Sequence, residues 1–254
     1  MTKRGSYVEN VKPAPMLPRP AATVMLLRPD PSGFAVYMLR RSARSRFVPD
    51  AYVFPGGAVD ASDRALAASA GVRGWSGPVA PELAVAALRE MFEEAGILLV
   101  TARDGSAAAV EAETLAELRA ELLGGATLAD MLERHGLALD AGALTYYSNW
   151  VTPVSEPIRF DAHFFIARAP EDQIAAADAI EVHDGIWIRP AEALARAERG
   201  DMTIIFPTVK HLERLAAQPD IDAMLAHARG RFVKPIMPVE REKGVFMFGG
   251  DDEW

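Results

Sequence analysis

Glu90, Glu93 and Glu94 stand at i, i+3 and i+4 in the run Arg89-Glu90-Met91-Phe92-Glu93-Glu94-Ala95-Gly96. On an α-helix this spacing gathers three carboxylates on one face within about one turn. Ala84, Leu88, Met91 and Ala95 form a separate apolar stripe around the same helix. Like charges so close destabilise a helix, and Arg89, placed to pair with Glu93, cannot neutralise three acids. One reading is a solvated helix face. The other is a site for a hard divalent cation, Mg²⁺ or Mn²⁺, which takes a few carboxylates and completes its shell with phosphate oxygens and water. Gly56 and Gly57 weigh toward the second reading, because a glycine pair after a strand lets backbone carbonyls and amides approach a ligand closely.

The element that must carry the acids is a helix from Pro81 to Ala95. Pro81 suits a first helical turn, Glu82 the positive end of the helix dipole and Gly96 a C-cap. Upstream, Ala22 to Leu27 and Phe34 to Leu39 flank turn residues Pro29 to Gly33 and predict a β-hairpin. A third strand, Ala51 to Phe54, runs into Pro55, Gly56 and Gly57, where regular structure breaks. Ser62 to Gly77 is rich in small residues and reads as a surface insertion. Val110 to Leu123 and Leu128 to His135 are expected to be helical, an alanine- and leucine-rich excursion suited to a lid or a dimer surface. Strands return at Leu144 to Val151, Arg159 to Ala167 and Gly185 to Ile188. Ala191 to Arg229 reads as helical apart from a break near Pro207. The division expected is an extended proline-rich arm over residues 1–20, one domain over 21–238 with insertions near 62–80 and 104–140, and a tail over 239–254.

The totals exclude several classes. The 254 residues contain no cysteine, which removes disulfides, thiolate metal sites and a cysteine nucleophile together. A formal charge of −8 speaks against nucleic acid as a partner. No apolar run has the ~18 residues of a membrane span and no signal-peptide core opens the chain, so a soluble, cytoplasmic protein without membrane attachment is expected. Against the acidic total, Arg40, Arg41, Arg44 and Arg46 cluster within seven residues. Two readings of that cluster stay open, a solubilising loop and an anion-binding edge.

Gly57, then five residues, Asp63, a spacer, and Arg89 to Ile97 resemble the Nudix box: glycine, five residues, an acid, a spacer, then Arg-Glu-apolar-x-Glu-Glu-x-Gly-apolar. Two departures stand out. Asp63 replaces the usual glutamate, and the spacer to Arg89 holds 25 residues where the family usually has seven. The metal-binding half of the box is intact; the supporting role of the first acid is what the departures put in question. The resemblance implies an α/β Nudix fold, a mixed β-sheet sandwiched between helices, here with helical insertions. It further implies a Mg²⁺- or Mn²⁺-dependent hydrolase that cuts a phosphoanhydride in a small nucleoside diphosphate derivative, and a homodimer. Gly57, Glu90, Glu93 and Glu94 would hold the metal, with Arg89 orienting the carboxylates.

Arg40, Arg41 and Ser42 ahead of Phe54-Pro55-Gly56-Gly57, with Asp60 and Asp63 after them, resemble Nudix enzymes that hydrolyse coenzyme A. Trp150 to Pro153 and Arg159 to Ile166 are similar to the branch of those enzymes that carries an insertion inside the box. Coenzyme A or an acyl derivative is therefore the substrate the resemblance favours. Arg40, Arg41 and Arg46 would bind its phosphates through bidentate contacts, and Gly56 and Gly57 would lie against the diphosphate. ADP-ribose, a nucleoside diphosphate sugar or a dinucleotide is the alternative, and a Nudix-fold nucleotide-binding module without turnover is an alternative of another class. A further acid is needed to accept a proton or complete a metal shell. Glu181, on the loop feeding the strand Gly185 to Ile188, is preferred over Glu156, Asp161 and Asp184. The five histidines lack ligand spacing, Ser42, Ser45 and Ser155 lack a nucleophile-elbow context, and Tyr52, Phe54, Trp150 and Trp187 suit the core better than a base-stacking role.

Overall fold

The computed structural model describes residues 16–43, 48–178, 182–242 and 245–247. The hairpin exceeds its sequence signal: β1 (Arg19–Asp30) and β2 (Gly33–Arg41) pair antiparallel with Leu27 opposite Val36. β1 is buried along most of its length because helices cover both faces of its sheet. Ala22, Val24 and Leu26 enter one core, and Met25 and Leu27 the other. Two short strands follow, β3 (Tyr52–Val53) against β2 and β4 (Gly56–Ala58) against β1.

The chain then forms α1 (Ala61–Ala67), β5 (Val72–Arg73), α2 (Pro81–Ala95) and β6 (Val100–Ala102), and continues through α3 (Ala112–Leu123), α4 (Leu128–Arg134) and β7 (Leu137–Asp140). β8 (Thr145–Val151), β9 (Phe160–Arg168) and β10 (Val182–Ile188) complete the body of the sheet, followed by α5 (Pro190–Glu198), α6 (Phe206–Ala216) and α7 (Ile221–Arg229). β11 (Pro235–Ile236) and a hairpin of β12 (Val239–Glu242) and β13 (Val245–Met247) follow. The main sheet has eight strands in the order β10-β2-β1-β9-β8-β11, with β3 and β4 off that path. β1 runs parallel to β9 and β8 to β11; the other neighbours are antiparallel. α2 packs on one face, and Leu212, Leu215, Ile221 and Met224 of α6 and α7 pack on the other. The mixed α/β sheet between helices is thus present.

Several expectations are corrected. Ser62 to Gly77 is not simply a surface insertion: it contains most of α1, whose Asp63 and Leu66 are buried. The break expected near Pro207 is present between α5 and α6, with Pro207 in the first turn of α6, where its missing N–H costs no bond; a second break, between Ala216 and Ile221, was not expected. The extended arm gives way to the sheet by Arg19, which pairs with Phe160. The excursion from 104 to 140 is tied to the body of the domain. Its β7 joins β5 and β6 in a three-stranded sheet, and Leu115, Leu118 and Leu122 of α3 turn into the core around α2. Among the described residues no helix is long and apolar enough to cross a membrane.

Candidate active site

α2 begins with Pro81 in its first turn and ends at Gly96, whose left-handed φ of 72° caps the helix with its N–H on Phe92 O at 3.0 Å. Ala84, Leu88, Met91 and Ala95, the apolar stripe, are buried in the core. The helix direction then brings Arg89 and the three acids against β4 and α1.

Arg89 is the hub. Its Nε and Nη2 donate to Oδ1 and Oδ2 of Asp63 at 2.8 and 2.9 Å, a bidentate pair in which Asp63 is only 2% exposed. Nη2 also donates to Ala58 O at 3.0 Å, and Nη1 donates to Glu90 Oε1 and Glu93 Oε2, each at 2.9 Å. Asp63 Oδ2 accepts a further bond, from the Asp60 N–H that opens α1, at 2.7 Å. The doubt raised by the aspartate and the long spacer is therefore settled by geometry: Asp63 still reaches Arg89, because α1 packs directly on α2.

The carboxylates are strained electrostatically. Burial pushes Glu90 up to about 7; Arg89 opposes the shift, and Glu93 adds to it. Burial raises Glu93 as well, again against Arg89. Glu94 Oε2 accepts the Gly56 N–H at 2.8 Å, which ties the helix to the glycine turn. Close approach requires glycine at 56, where backbone stands in the way, and at 57 a side chain would displace the Glu90 carboxylate. A Cβ on Gly57 would stand 2.3 Å from Glu90 Oε1, and one on Gly56 2.4 Å from Ala22 O. Among the described residues no three acids or imidazoles converge as a finished cation cage. Each acid instead has its own present partner, Arg89 for Glu90 and Glu93 and the Gly56 amide for Glu94.

The remaining candidates lie as follows. Arg40 Nη2 donates to Asp50 Oδ1 at 3.0 Å, with both side chains nearly half exposed, and Arg41 ends β2 opposite Val182. Arg44, Arg46 and Glu181 lie outside the described residues. Asp184 is exposed on β10 opposite Arg40, Glu156 is part-exposed in the turn after β8, and Asp161 accepts a bond from Asn149 Nδ2 at 2.6 Å. Phe54 and Trp150 are core residues, and Trp187 leans on Tyr37 beneath the guanidinium of Arg28. His211 is buried, bonded to Ser148 Oγ at 2.7 Å and Pro207 O at 2.6 Å; burial pushes it down to about 3, so it is a neutral core group. Sequence reasoning missed Arg119 of α3, whose Nε and Nη2 donate to Glu93 O at 2.9 and 2.7 Å. A bond to a backbone carbonyl in the last turn of a helix leaves no sequence pattern to find.

The family model described as the NUDT19 Nudix domain matches residues 73–215. A relative from Gallus gallus, acyl-coenzyme A diphosphatase NUDT19, is 31% identical over a match covering 78% of this chain and 68% of that protein. Putative nudix hydrolase 7 of Caenorhabditis elegans is 28% identical across 80% of this chain; the match spans 62% of the worm protein's length. Among solved structures, the crystal structure of a NUDIX hydrolase from Alicyclobacillus acidocaldarius superimposes with a TM-score of 0.75 at 32% identity, covering 84% of this chain and 97% of that one.

Proposed function

This chain belongs to the Nudix hydrolase family, and from that premise we propose that it cleaves the diphosphate of coenzyme A or an acyl-coenzyme A, giving 3′,5′-ADP and (acyl-)4′-phosphopantetheine. The observation that carries the reading is the carboxylate face of α2 over Gly56 and Gly57, anchored by the buried Asp63–Arg89 pair. The choice of substrate rests on the acyl-coenzyme A diphosphatase relatives, to which this chain is 26% to 31% identical. Nudix hydrolases generally use Mg²⁺ or Mn²⁺, and the donor set here suits such an ion. It offers hard carboxylate oxygens from Glu90 and Glu93, both bonded to Arg89 Nη1, and from Glu94, which accepts the Gly56 N–H. The turn hydrogen of Gly57 leaves Glu90 room that a methyl group would fill.

Glu90, Glu93, Glu94 and the Gly57 carbonyl would hold the cation. Bound there, it would neutralise diphosphate oxygens and lower the pKa of a water. Arg89 fixes the direction of Glu90 and Glu93 and is itself fixed by Asp63. Arg40, Arg41 and Arg46 would serve the phosphates, which requires Arg40 to exchange its exposed bond to Asp50 for a substrate anion. Glu181 is the acid assigned to proton transfer or further ligation. A panel of coenzyme A, acyl-coenzyme A, ADP-ribose, nucleoside diphosphate sugars and dinucleotides with Mg²⁺ or Mn²⁺, read by mass spectrometry, tests the reading. Release of 3′,5′-ADP from coenzyme A supports it. Cleavage of ADP-ribose alone replaces the substrate, and binding without cleavage of any member replaces the enzyme with a nucleotide-binding module.

A further inference from the structure

Four polar side chains on the sheet stand apart from the carboxylate helix and have no part in the reading above. Tyr146 of β8 bonds through its hydroxyl to His163 Nδ1 at 2.9 Å, and His163 Nε2 faces Asp161 Oδ1 at 3.5 Å. Asn149 Nδ2 donates to the same Oδ1 at 2.6 Å. With the tyrosine hydroxyl donating to Nδ1, the imidazole keeps its proton on Nε2, so both neighbours of Oδ1 are donors. Asp161 Oδ2 has no partner among the described residues. Exposure rises along the chain: Asn149 is buried, the His163 side chain is 13% exposed and that of Asp161 37%. Buried polar groups are costly unless satisfied, and these satisfy one another in a way that leaves a single carboxylate oxygen presented outward.

The register places that oxygen. β1 sets Ala22 beside His163 and Pro20 beside Asp161, and on its other edge Ala22 beside Gly57. Alternation puts Asp161 and His163 on the face of Phe165, which packs in the core around α2, whereas Phe164 faces the opposite core. The cluster therefore shares a sheet face with Gly57, over which Glu90 stands. Two strand spacings separate Gly57 from His163, about 10 Å. That spacing is within the length of a substrate whose diphosphate lies against Gly57.

We propose that Asp161, set by Asn149 and His163, is a hydrogen-bond-accepting subsite whose Oδ2 takes a hydroxyl or N–H of the group flanking the diphosphate. The inference rests on the diphosphatase reading and narrows it. A fixed carboxylate repels phosphate and accepts only donors, so it selects an uncharged, donor-bearing neighbour and keeps phosphates toward the cation side. Two portions of the substrate class carry such donors, the ribose with its base and the pantetheine arm with its hydroxyl and amides.

Asp161→Asn tests the subsite. Asn149 and His163 both donate toward the Oδ1 position, so the new amide turns its oxygen to them and presents its NH₂ where Oδ2 stood. A donor then meets the substrate's donor. The expected result is a KM at least ~10-fold higher on whichever diphosphate the parent cleaves best, with kcat within about threefold. Calorimetry with 3′,5′-ADP and with 4′-phosphopantetheine identifies the source, since the half that contacts Asp161 binds at least ~10-fold more weakly to the variant. Asp161→Ala, which removes the acceptor and adds no donor, must raise KM likewise and covers misfolding of the first variant. Unchanged KM with unchanged binding of both halves in either folded variant overturns the proposal, as does a loss confined to kcat. A parent that leaves coenzyme A intact sinks the substrate reading without deciding this one, because the KM ratio is taken on the diphosphate that is cleaved.

Discussion

Asp63→Asn removes one charge and almost no volume from the most buried part of the site. Three N–H groups converge on this carboxylate: Arg89 Nε on Oδ1, and Arg89 Nη2 and the Asp60 amide on Oδ2. An amide accepts at one atom only, so either orientation of the side chain sets its NH₂ against at least one of these donors. Arg89 keeps Glu90, Glu93 and Ala58 O but loses the one fully buried counter-charge. Breaking a buried pair from one side costs about 3–5 kcal/mol, and in a chain of this size that lowers Tm by roughly 10 °C. Urea unfolding followed by circular dichroism reads the loss, and kcat should fall with it because Arg89 no longer fixes Glu90 and Glu93. Asp60→Asn is the control. Asp60 lies 3.8 Å from Arg89 with 62% of its side chain exposed, and an exposed pair of that kind contributes about 0–1 kcal/mol. An Asp63→Asn protein within about 1 kcal/mol of the parent would show that the bidentate pair does not hold the site.

Glu93→Gln and Glu94→Gln should each lower kcat at least ~100-fold with the fold retained, and Mg²⁺-dependent turnover surviving in both would end the assignment of these acids. Gly57→Ala forces its methyl against the Glu90 carboxylate, 2.3 Å from Oε1, and should reduce both turnover and calorimetric Mn²⁺ affinity; parent-like affinity contradicts the close approach. Glu90 titrates near 7 in the fold against 4.5 as a free side chain, so the folded state binds its proton more tightly than the unfolded one. Its contribution therefore favours the fold at low pH and is lost as pH rises from 4.5 through about 7; measured in EDTA, the parent should lose Tm relative to Glu90→Gln across that window, and parallel profiles would contradict it. Arg40→Ala with Arg46→Ala should raise KM for coenzyme A more than for dephospho-coenzyme A, and equal effects would take the 3′-phosphate away from these arginines.

What was legible in the sequence was what depends on neighbours along the chain. Helix α2 could be bounded to the residue because Pro81 and Gly96 act within one turn of themselves. The hairpin of β1 and β2 was found from its turn, but its ends were set short, because strand length is decided by partners. Arg19 is extended because Phe160 pairs with it. β4, β5, β6 and β7 have two to four residues each, too few for alternation to register, and they exist through pairing alone. The three acids of α2 declared themselves through spacing. The cluster of Tyr146, Asn149, Asp161 and His163 did not, since β8 and β9 must be laid side by side before those residues meet.

The long spacer shows the same distinction acting on function. The chain leaves α1 after Ala67 and enters α2 at Pro81, and the positions of Asp63 and Arg89 depend on how those two helices pack rather than on what lies between. The intervening residues are themselves anchored: Val72 pairs with Leu139 from the second excursion, and Trp75 packs its ring edge-on to Phe165 while its Nε1 donates to Val79 O at 3.0 Å. Loop closure grows only logarithmically with length, so a long path between fixed ends costs little once both ends and its middle are tied to the body. The second excursion completes the arrangement from the opposite direction, with Arg119 of α3 bonded to the carbonyl of Glu93. Asp63 on α1 and Arg119 on α3 thus hold the carboxylate run from two directions, Asp63 at Arg89 and Arg119 at Glu93.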